Sequence, residues 1–445
     1  MTEKSLSEFT TGQRVTRNRF AFTLIFTLAI ILRFYAVINF PAKPASDAAD
    51  YHRLAMSIVT SHGYLAQNGS PTAWRPPGYP FFLAGIYSIA GESVFTAYMV
   101  QAILGGLTVL ALMYLAMAIL GRKAAIVSGV MAALYPGLIY PSRSLMSENL
   151  AIPLLLLSIC VAVRIARSDS LWAPASLGAL LGLSILTRGA SVIAAALLLG
   201  AILLTKWRTG GMANAFKCVS IVAMALAIIL APWGVRNYAV FHRRAPLATQ
   251  DGIAFYASYW PPRKGSKLIW GTLPREEDPV VAASSGGADE VAVSEYLKRE
   301  TINRLRAEPQ YFFQLWPSKL IYLLAPFDWE IFPHSAGASR SFNWGYVFIV
   351  LPAALGALII GRKSTPRKWA LLALPASVLI QSLIFYGSPR FRLIAEPIAL
   401  IAAAMGAIEI FEFTKRRYGA ASGHMADSRS LPLAVLIRRL KSSKR

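Results

Sequence analysis

The sequence predicts an all-α polytopic membrane protein, with interfacial helices in its first outer loop and a larger mixed segment outside the lipid. Three observations predict it. Hydrophobic residues make up 55% of the chain and charged ones only 15%, with a mean hydropathy of +0.48. A single soluble core cannot bury so much apolar surface. Several windows are apolar over about twenty residues, enough to cross roughly 30 Å of hydrocarbon, and together they allow about ten to twelve spans. The basic residues gather in short connections that fall on one side of the bundle.

Taken in order, residues 1–19 form a polar tail with Lys4, Arg14, Arg17 and Arg19, which predicts a cytoplasmic N-terminus. Phe20 to Ile38 is the first span, too long for a removed signal peptide and without its small-residue cleavage pattern. Arg33 near its far end reads as a side chain snorkelling to the interface, or as a charge facing a site. The bundle, 20–232, carries the outer loop 39–80, where Ala48–Val59 has the stripe of an amphipathic helix. Tyr79–Ala90 is apolar but short, as an interfacial or re-entrant helix would be.

Arg122-Lys123, Arg164, Lys206 and Arg208 mark cytoplasmic turns, and Thr187-Arg188-Gly189 an outer one. The outer segment 233–343 holds the aromatic cluster Phe255, Tyr256, Tyr259 and Trp260, and a small-residue tract at Ala282–Gly287. It also holds a helix over Asp289–Ala307, acidic at its start and basic at its end as the helix dipole favours. Residues 344–412 return to the membrane. The basic tail 413–445 is cytoplasmic, and its stretch Leu431–Leu440 suits an anionic leaflet or water equally.

A net charge of +23 would point to nucleic acid in a soluble chain, but here the positive-inside pattern accounts for it. Cys160 and Cys218 lie inside apolar runs, so neither a disulfide framework nor a zinc site is supported. No cofactor is fixed by the sequence, and a divalent cation held at Glu148 is left open.

The chemistry concentrates at the outer rim. Asp47, Asp50 and Glu148 are acidic there; Arg75, Arg143, Arg188, Arg236, Arg390 and Arg392 are basic. Polar groups at span ends are costly unless hydrated or used. Arginines are suited to clamp a lipid-linked phosphate, and a carboxylate to take the proton of an incoming hydroxyl. Tyr51, His52, Trp74 and Tyr79 add candidate substrate contacts. Each has an ordinary explanation too. Asp47 could cap the helix beginning at Ala48, and Glu148 could be a helix-end charge. Asp50 could be a solvated face residue, Arg390 and Arg392 interfacial anchors, and the aromatics a headgroup-level belt.

A series of short motifs resembles one family. They are Asp47-x-x-x-Tyr51-His52-x-Leu54-Ala55, Arg75-Pro76-Pro77-Gly78-Tyr79-Pro80, Tyr135-Pro136 before Leu145-Met146-Ser147-Glu148, and Leu186-Thr187-Arg188. Pro232-Trp233-x-x-Arg236-Asn237 and Arg390-Phe391-Arg392-x-x-x-Glu396-Pro397 complete the series. In this order they resemble the bacterial GT-C glycosyltransferases of the dolichyl-phosphate-mannose protein mannosyltransferase and aminoarabinose transferase superfamily. The resemblance implies a GT-C helix bundle, a polyprenyl-phosphate sugar donor and inversion at the anomeric carbon. It places the catalytic carboxylate at Asp47 and the second at Glu148, with Arg75 near the donor phosphate. One departure is Ala48, where many relatives carry a second acidic residue; this chain offers Asp50 instead.

The expected function is transfer of a sugar from that donor to a hydroxyl of a glycan, lipid or protein outside the cytoplasm, at a bacterial inner membrane. Asp47, Glu148 and Asp50 are the catalytic candidates; Arg75, Arg390, Arg392 and Arg188 are the phosphate-binding ones. A transporter or lipid flippase is the alternative, and it predicts charges at mid-membrane depth rather than at the rim. A non-catalytic assembly partner is a third reading.

Overall fold

The computed structural model of the chain describes residues 3–60, 63–165, 170–245, 247–260, 289–326, 343–362 and 369–429. The tracts Ala282–Gly287 and Leu431–Leu440 lie outside the described residues. Helices dominate. α1 (Glu3–Asn39) leads to α2 (Asp47–Val59), α3 (Gly78–Ala90), α4 (Val94–Leu120) and α5 (Arg122–Leu134). The short α6 (Pro136–Ile139) runs into a 3-10 turn, Tyr140–Arg143, then come α7 (Glu148–Ile165), α8 (Trp172–Thr187) and α9 (Ser191–Phe241). Beyond these are α10 (Gln250–Ala257), α11 (Glu290–Ala307), α12 (Pro309–Gln314) and α13 (Trp316–Leu324). The chain then forms α14 (Trp344–Arg362), α15 (Trp369–Ile384), a 3-10 turn (Phe391–Ile394) and α16 (Glu396–Arg429).

Local signals explain many of the boundaries. Ser93 caps α4, its hydroxyl accepting from the Thr96 N–H at 3.1 Å, and Asp289 caps α11 through the Ala292 N–H at 3.1 Å. Pro136 stops α5, and the chain bends by 71° into the Pro136–Arg143 stretch. Gly211 has φ +78°, open to glycine, so the 51-residue α9 is two helical runs joined at a kink.

Five of the described helices are long and apolar enough to cross a membrane, or six with the bent pair counted as one span. That is fewer than the expected ten to twelve. The difference lies partly in α8 and α15, apolar but only 16 residues long, and partly in α9, whose two helical runs on either side of Gly211 correspond to the two crossings read from the sequence but count there as a single helix. Large apolar side chains such as Phe20, Leu24, Phe216, Met224, Ile228 and Phe348 are exposed, the surface lipid requires of a multi-pass membrane protein. Inside, helices touch backbone to backbone. At Gly356 in α14 a side chain would run into the Ala402 carbonyl, and at Gly406 in α16 into that of Pro352.

Loop 39–80 sits at one end of the bundle, where the Tyr98 hydroxyl near the start of α4 donates to the Ala42 carbonyl at 2.6 Å. The 27 residues of α4 rise by about 40 Å. Arg122 and Lys123 are therefore at the opposite end, where Lys123 pairs with Glu412 of α16 at 2.8 Å. Arg33 does not snorkel. It is fully buried between α1 and α4, donating to the Ala29 carbonyl at 2.9 Å, in space left by Gly105. Its Nε and second Nη have no hydrogen-bond partner among the described residues.

Candidate active site

Asp47 is the first residue of α2, and the cap position before it, Ser46, makes no side-chain cap bond. Asp47 itself points elsewhere. Its Oδ1 accepts from Arg75 at 2.6 Å and its Oδ2 from Arg390 at 2.6 Å. Arg390 also grips Glu148, through Nε at 2.5 Å and Nη2 at 3.0 Å, and Arg188 donates to the same Glu148 carboxylate at 2.6 Å. Glu148 is wholly buried at the head of α7. Asp50, one turn into α2, accepts from Arg75 at 2.9 Å and faces Arg53 at 3.7 Å. Six of the candidate side chains thus form one cluster, drawn from α2, the following loop, α7, the α8–α9 turn and the segment after α15.

Three carboxylates meet three guanidinium groups in a largely water-excluded place. Taking such charges out of water is expensive, and the cluster persists because each is paired with good geometry. Burial alone would raise the Asp47 carboxyl. The guanidinium charges of Arg390 and Arg75 and their hydrogen bonds outweigh it, and hold the group well below the usual carboxylate range. Asp47 therefore supports the fold at any pH above the ordinary carboxylate value, and that support is lost only as pH falls through its depressed value. Among the described residues no group of three or more His, Cys, Asp and Glu could hold a metal ion. The Asp47 and Glu148 oxygens already face guanidinium groups, so as arranged they do not make a cation site.

The aromatic candidates divide. Tyr51 lies under Arg75, ring centre 5.4 Å from the guanidinium carbon, and meets Tyr79 edge-on at 4.8 Å. Tyr79 is fully buried and donates to Gln101 Oε1 at 2.5 Å. These two rings form the floor beneath Arg75. His52 stands apart, its Nδ1 at 3.0 Å from the Tyr87 hydroxyl and its Nε2 at 3.2 Å from Glu92. Trp74 is half-buried, its carbonyl accepting from the Gln250 N–H at 3.4 Å. Arg392 turns away from the cluster. It pairs with Glu396 one turn on at 3.0 Å, lies over the Tyr346 ring at 3.7 Å and donates to the Ala325 carbonyl. Arg143 donates to the Phe40 carbonyl at 2.9 Å, and Arg236 to the Thr72 and Tyr64 carbonyls at 2.8 and 3.1 Å, so both hold loop backbone.

Two contributors were not singled out from the sequence. Gln250 at the start of α10 accepts from Arg75 at 2.8 Å. Tyr386, four residues before Arg390, packs its ring against that of Phe391 at 5.0 Å, next to Arg390 in the chain. A tyrosine beside the Arg390 motif was a visible signal; an isolated glutamine was not.

A cavity of about 700 Å³ lies between α3, α7, α8 and α9. Phe81, Phe82, Leu150, Leu154, Leu183 and Ile229 make it apolar, and Trp233, Arg236 and Thr187 give it a polar edge. Its wall includes Pro77, Leu150 and Thr187, one or two residues from Arg75, Glu148 and Arg188.

Helices in this arrangement occur in known proteins. The oligosaccharyltransferase AglB of Archaeoglobus fulgidus, solved with an inhibitory peptide and a dolichol-phosphate, superposes with a TM-score of 0.54 at 13% identity. The fold is GT-C. That superposition covers 92% of this chain and 52% of AglB, so the chain spans about half the length of that protein. A second structure of the Archaeoglobus enzyme, with Zn and sulfate, gives 0.52 at 16% identity, covering 94% and 52%. ArnT from Cupriavidus metallidurans bound to undecaprenyl phosphate matches at 0.42 and 14% identity, over 87% of this chain and 77% of that one. Residues 74–234 match the profile of the dolichyl-phosphate-mannose-protein mannosyltransferases, a stretch that includes Arg75, Glu148 and Arg188. No curated protein matches.

Proposed function

We propose that this GT-C protein is a glycosyltransferase. It transfers one sugar from a polyprenyl-phosphate donor to a hydroxyl of a glycan, lipid or protein, with inversion. The reaction takes place on the periplasmic face of a bacterial inner membrane, with both termini cytoplasmic. The observation that carries this reading is the bridge at Arg390, one guanidinium bonded to both Asp47 and Glu148 near an apolar cavity. The cavity suits the first isoprene units of a lipid tail, and the arginines suit the phosphate joined to it.

In this reading the acceptor oxygen attacks the anomeric carbon from the side opposite the phosphate. The bond from that carbon to the phosphate oxygen breaks, and its electron pair leaves with the lipid phosphate. The acceptor proton goes to Asp47. Arg75, Arg188 and Arg390 neutralise the departing phosphate, and buried Glu148 keeps Arg188 and Arg390 aimed while it leaves. Arg392, tied to Glu396, belongs to the frame. In detergent, purified protein given undecaprenyl-phosphate-linked sugar is expected to release undecaprenyl phosphate when acceptor is added. A transporter needs a sealed membrane, so failure to consume any such donor in detergent overturns the reading.

The cluster also predicts a pH effect. A donor phosphate competes with Asp47 for Arg75 and Arg390, so its binding raises the Asp47 carboxyl from its depressed value. The acid limb of kcat/KM reports free protein and that of kcat the donor complex. The kcat limb is expected at the higher pH, and the kcat/KM limb below the ordinary aspartate value of about 3.9. Coincident acid limbs in the two profiles would remove the competition.

A further inference from the structure

Every backbone polar group of Thr72, Ala73 and Trp74 is occupied. The Thr72 N–H donates to the Tyr64 carbonyl at 3.0 Å, and the Thr72 carbonyl accepts from Arg236 at 2.8 Å. The Ala73 N–H donates to Glu290 Oε1, and the Ala73 carbonyl accepts from the Thr249 N–H at 2.9 Å. The Trp74 N–H donates to Thr72 Oγ1 at 3.0 Å, and the Trp74 carbonyl accepts from the Gln250 N–H at 3.4 Å. The Thr72 hydroxyl in turn donates to Glu290 Oε2 at 2.7 Å. A loop tied at every donor and acceptor has little freedom to move the residue that follows it. That residue is Arg75.

The ties come from far away in the chain. Glu290 opens α11, where the helix N-terminus favours a carboxylate. It does not fold back onto its own helix; both oxygens reach across to the loop. α11 packs on α10, close enough at Gly252 that a side chain there would strike Ser294. Gln250, at the head of α10, holds the Arg75 guanidinium directly. Glu290 therefore fixes the backbone before Arg75, while its neighbouring helix fixes the side chain.

We propose that Glu290 is a positioning residue, which sets the Arg75 guanidinium for the donor phosphate by holding Thr72 and Ala73. The proposal rests on the glycosyltransferase reading. It makes α10 and α11 part of the phosphate site, although neither need touch the lipid.

The test is binding of undecaprenyl phosphate to detergent-purified protein, with thermal unfolding measured alongside. Glu290→Ala is expected to weaken binding about 10- to 100-fold, as small misplacement of a charged ligand-binding group does. Glu290→Gln keeps an oxygen for the Ala73 N–H and an amide for the Thr72 hydroxyl, and is expected to stay within about threefold of wild type. Should Glu290→Ala fail to fold, Thr72→Val removes the hydroxyl at nearly constant shape and is expected to weaken binding in the same direction. Wild-type affinity in folded Glu290→Ala or Thr72→Val, with Arg75→Lys weakened, overturns the proposal and leaves the functional reading standing. No binding by wild type overturns the functional reading, and this one with it.

Discussion

Asp47→Asn is expected to lower kcat about a thousandfold, the scale of a lost general base, while the protein still folds and inserts. Asparagine has nearly the same shape and keeps one oxygen for a guanidinium, but its amide cannot take a proton from the acceptor. It also removes one negative charge from a cluster in which Asp47 is bonded to Arg75 and Arg390. The arginines it releases are then more available to phosphate. Donor affinity is expected to hold or to rise, so the loss falls on kcat and not on donor KM. Steady-state kinetics with undecaprenyl phosphate binding on the same preparation separates the two. Turnover near that of wild type would end the assignment of Asp47 as base.

Much of this site was legible because membrane proteins leave few charges unexplained. Asp47, Glu148, Arg75, Arg188 and Arg390 stand at the ends of apolar stretches, where a charge is costly unless it has a partner. What the sequence could not give was who faces whom. Asp47 had an ordinary explanation as a helix cap, and only the geometry shows its oxygens turned to two arginines. Arg390 and Arg392 look alike in sequence. They lie on either side of Phe391 in a tight turn, so one reaches Asp47 and Glu148 while the other turns to Glu396 and Tyr346.

The fold was read from the same feature, runs of apolar residues, and that feature gives the number of spans least well where the helices are short. α8 and α15 are apolar without being long, whereas α9 breaks at Gly211, just past Arg208, where the sequence reads as a basic turn between two crossings. Arg33 read as a snorkelling residue because its position near a span end allows it. Gly105 on a different helix, invisible to any local pattern, opens the space that buries it. Glu290 and Gln250 were missed for a related reason. Their partners lie some two hundred residues earlier in the chain, and nothing near either residue points to them.

Arg390→Lys is the second large expected effect, a fall in kcat/KM of about 100- to 1000-fold, typical of losing one preorganised charged donor. The substitution keeps the charge, so it isolates geometry. Arg390 uses three nitrogens at once, Nε and Nη2 on Glu148 and Nη1 on Asp47. A lysine ammonium is a single point on a flexible stem and cannot span both carboxylates with a planar fork. Glu148 keeps Arg188 at 2.6 Å and Asp47 keeps Arg75 at 2.6 Å, so neither is stranded and the variant is expected to fold. Arg390→Met is different in kind. It leaves the buried Glu148 one guanidinium short, and the cost of an uncompensated buried charge, about 3–5 kcal/mol, is expected as lost thermal stability. Arg390→Lys with normal kcat/KM would reduce the bridge to a structural ion pair. Normal stability in Arg390→Met would mean that Arg188 alone suffices to keep the Glu148 charge inside the protein.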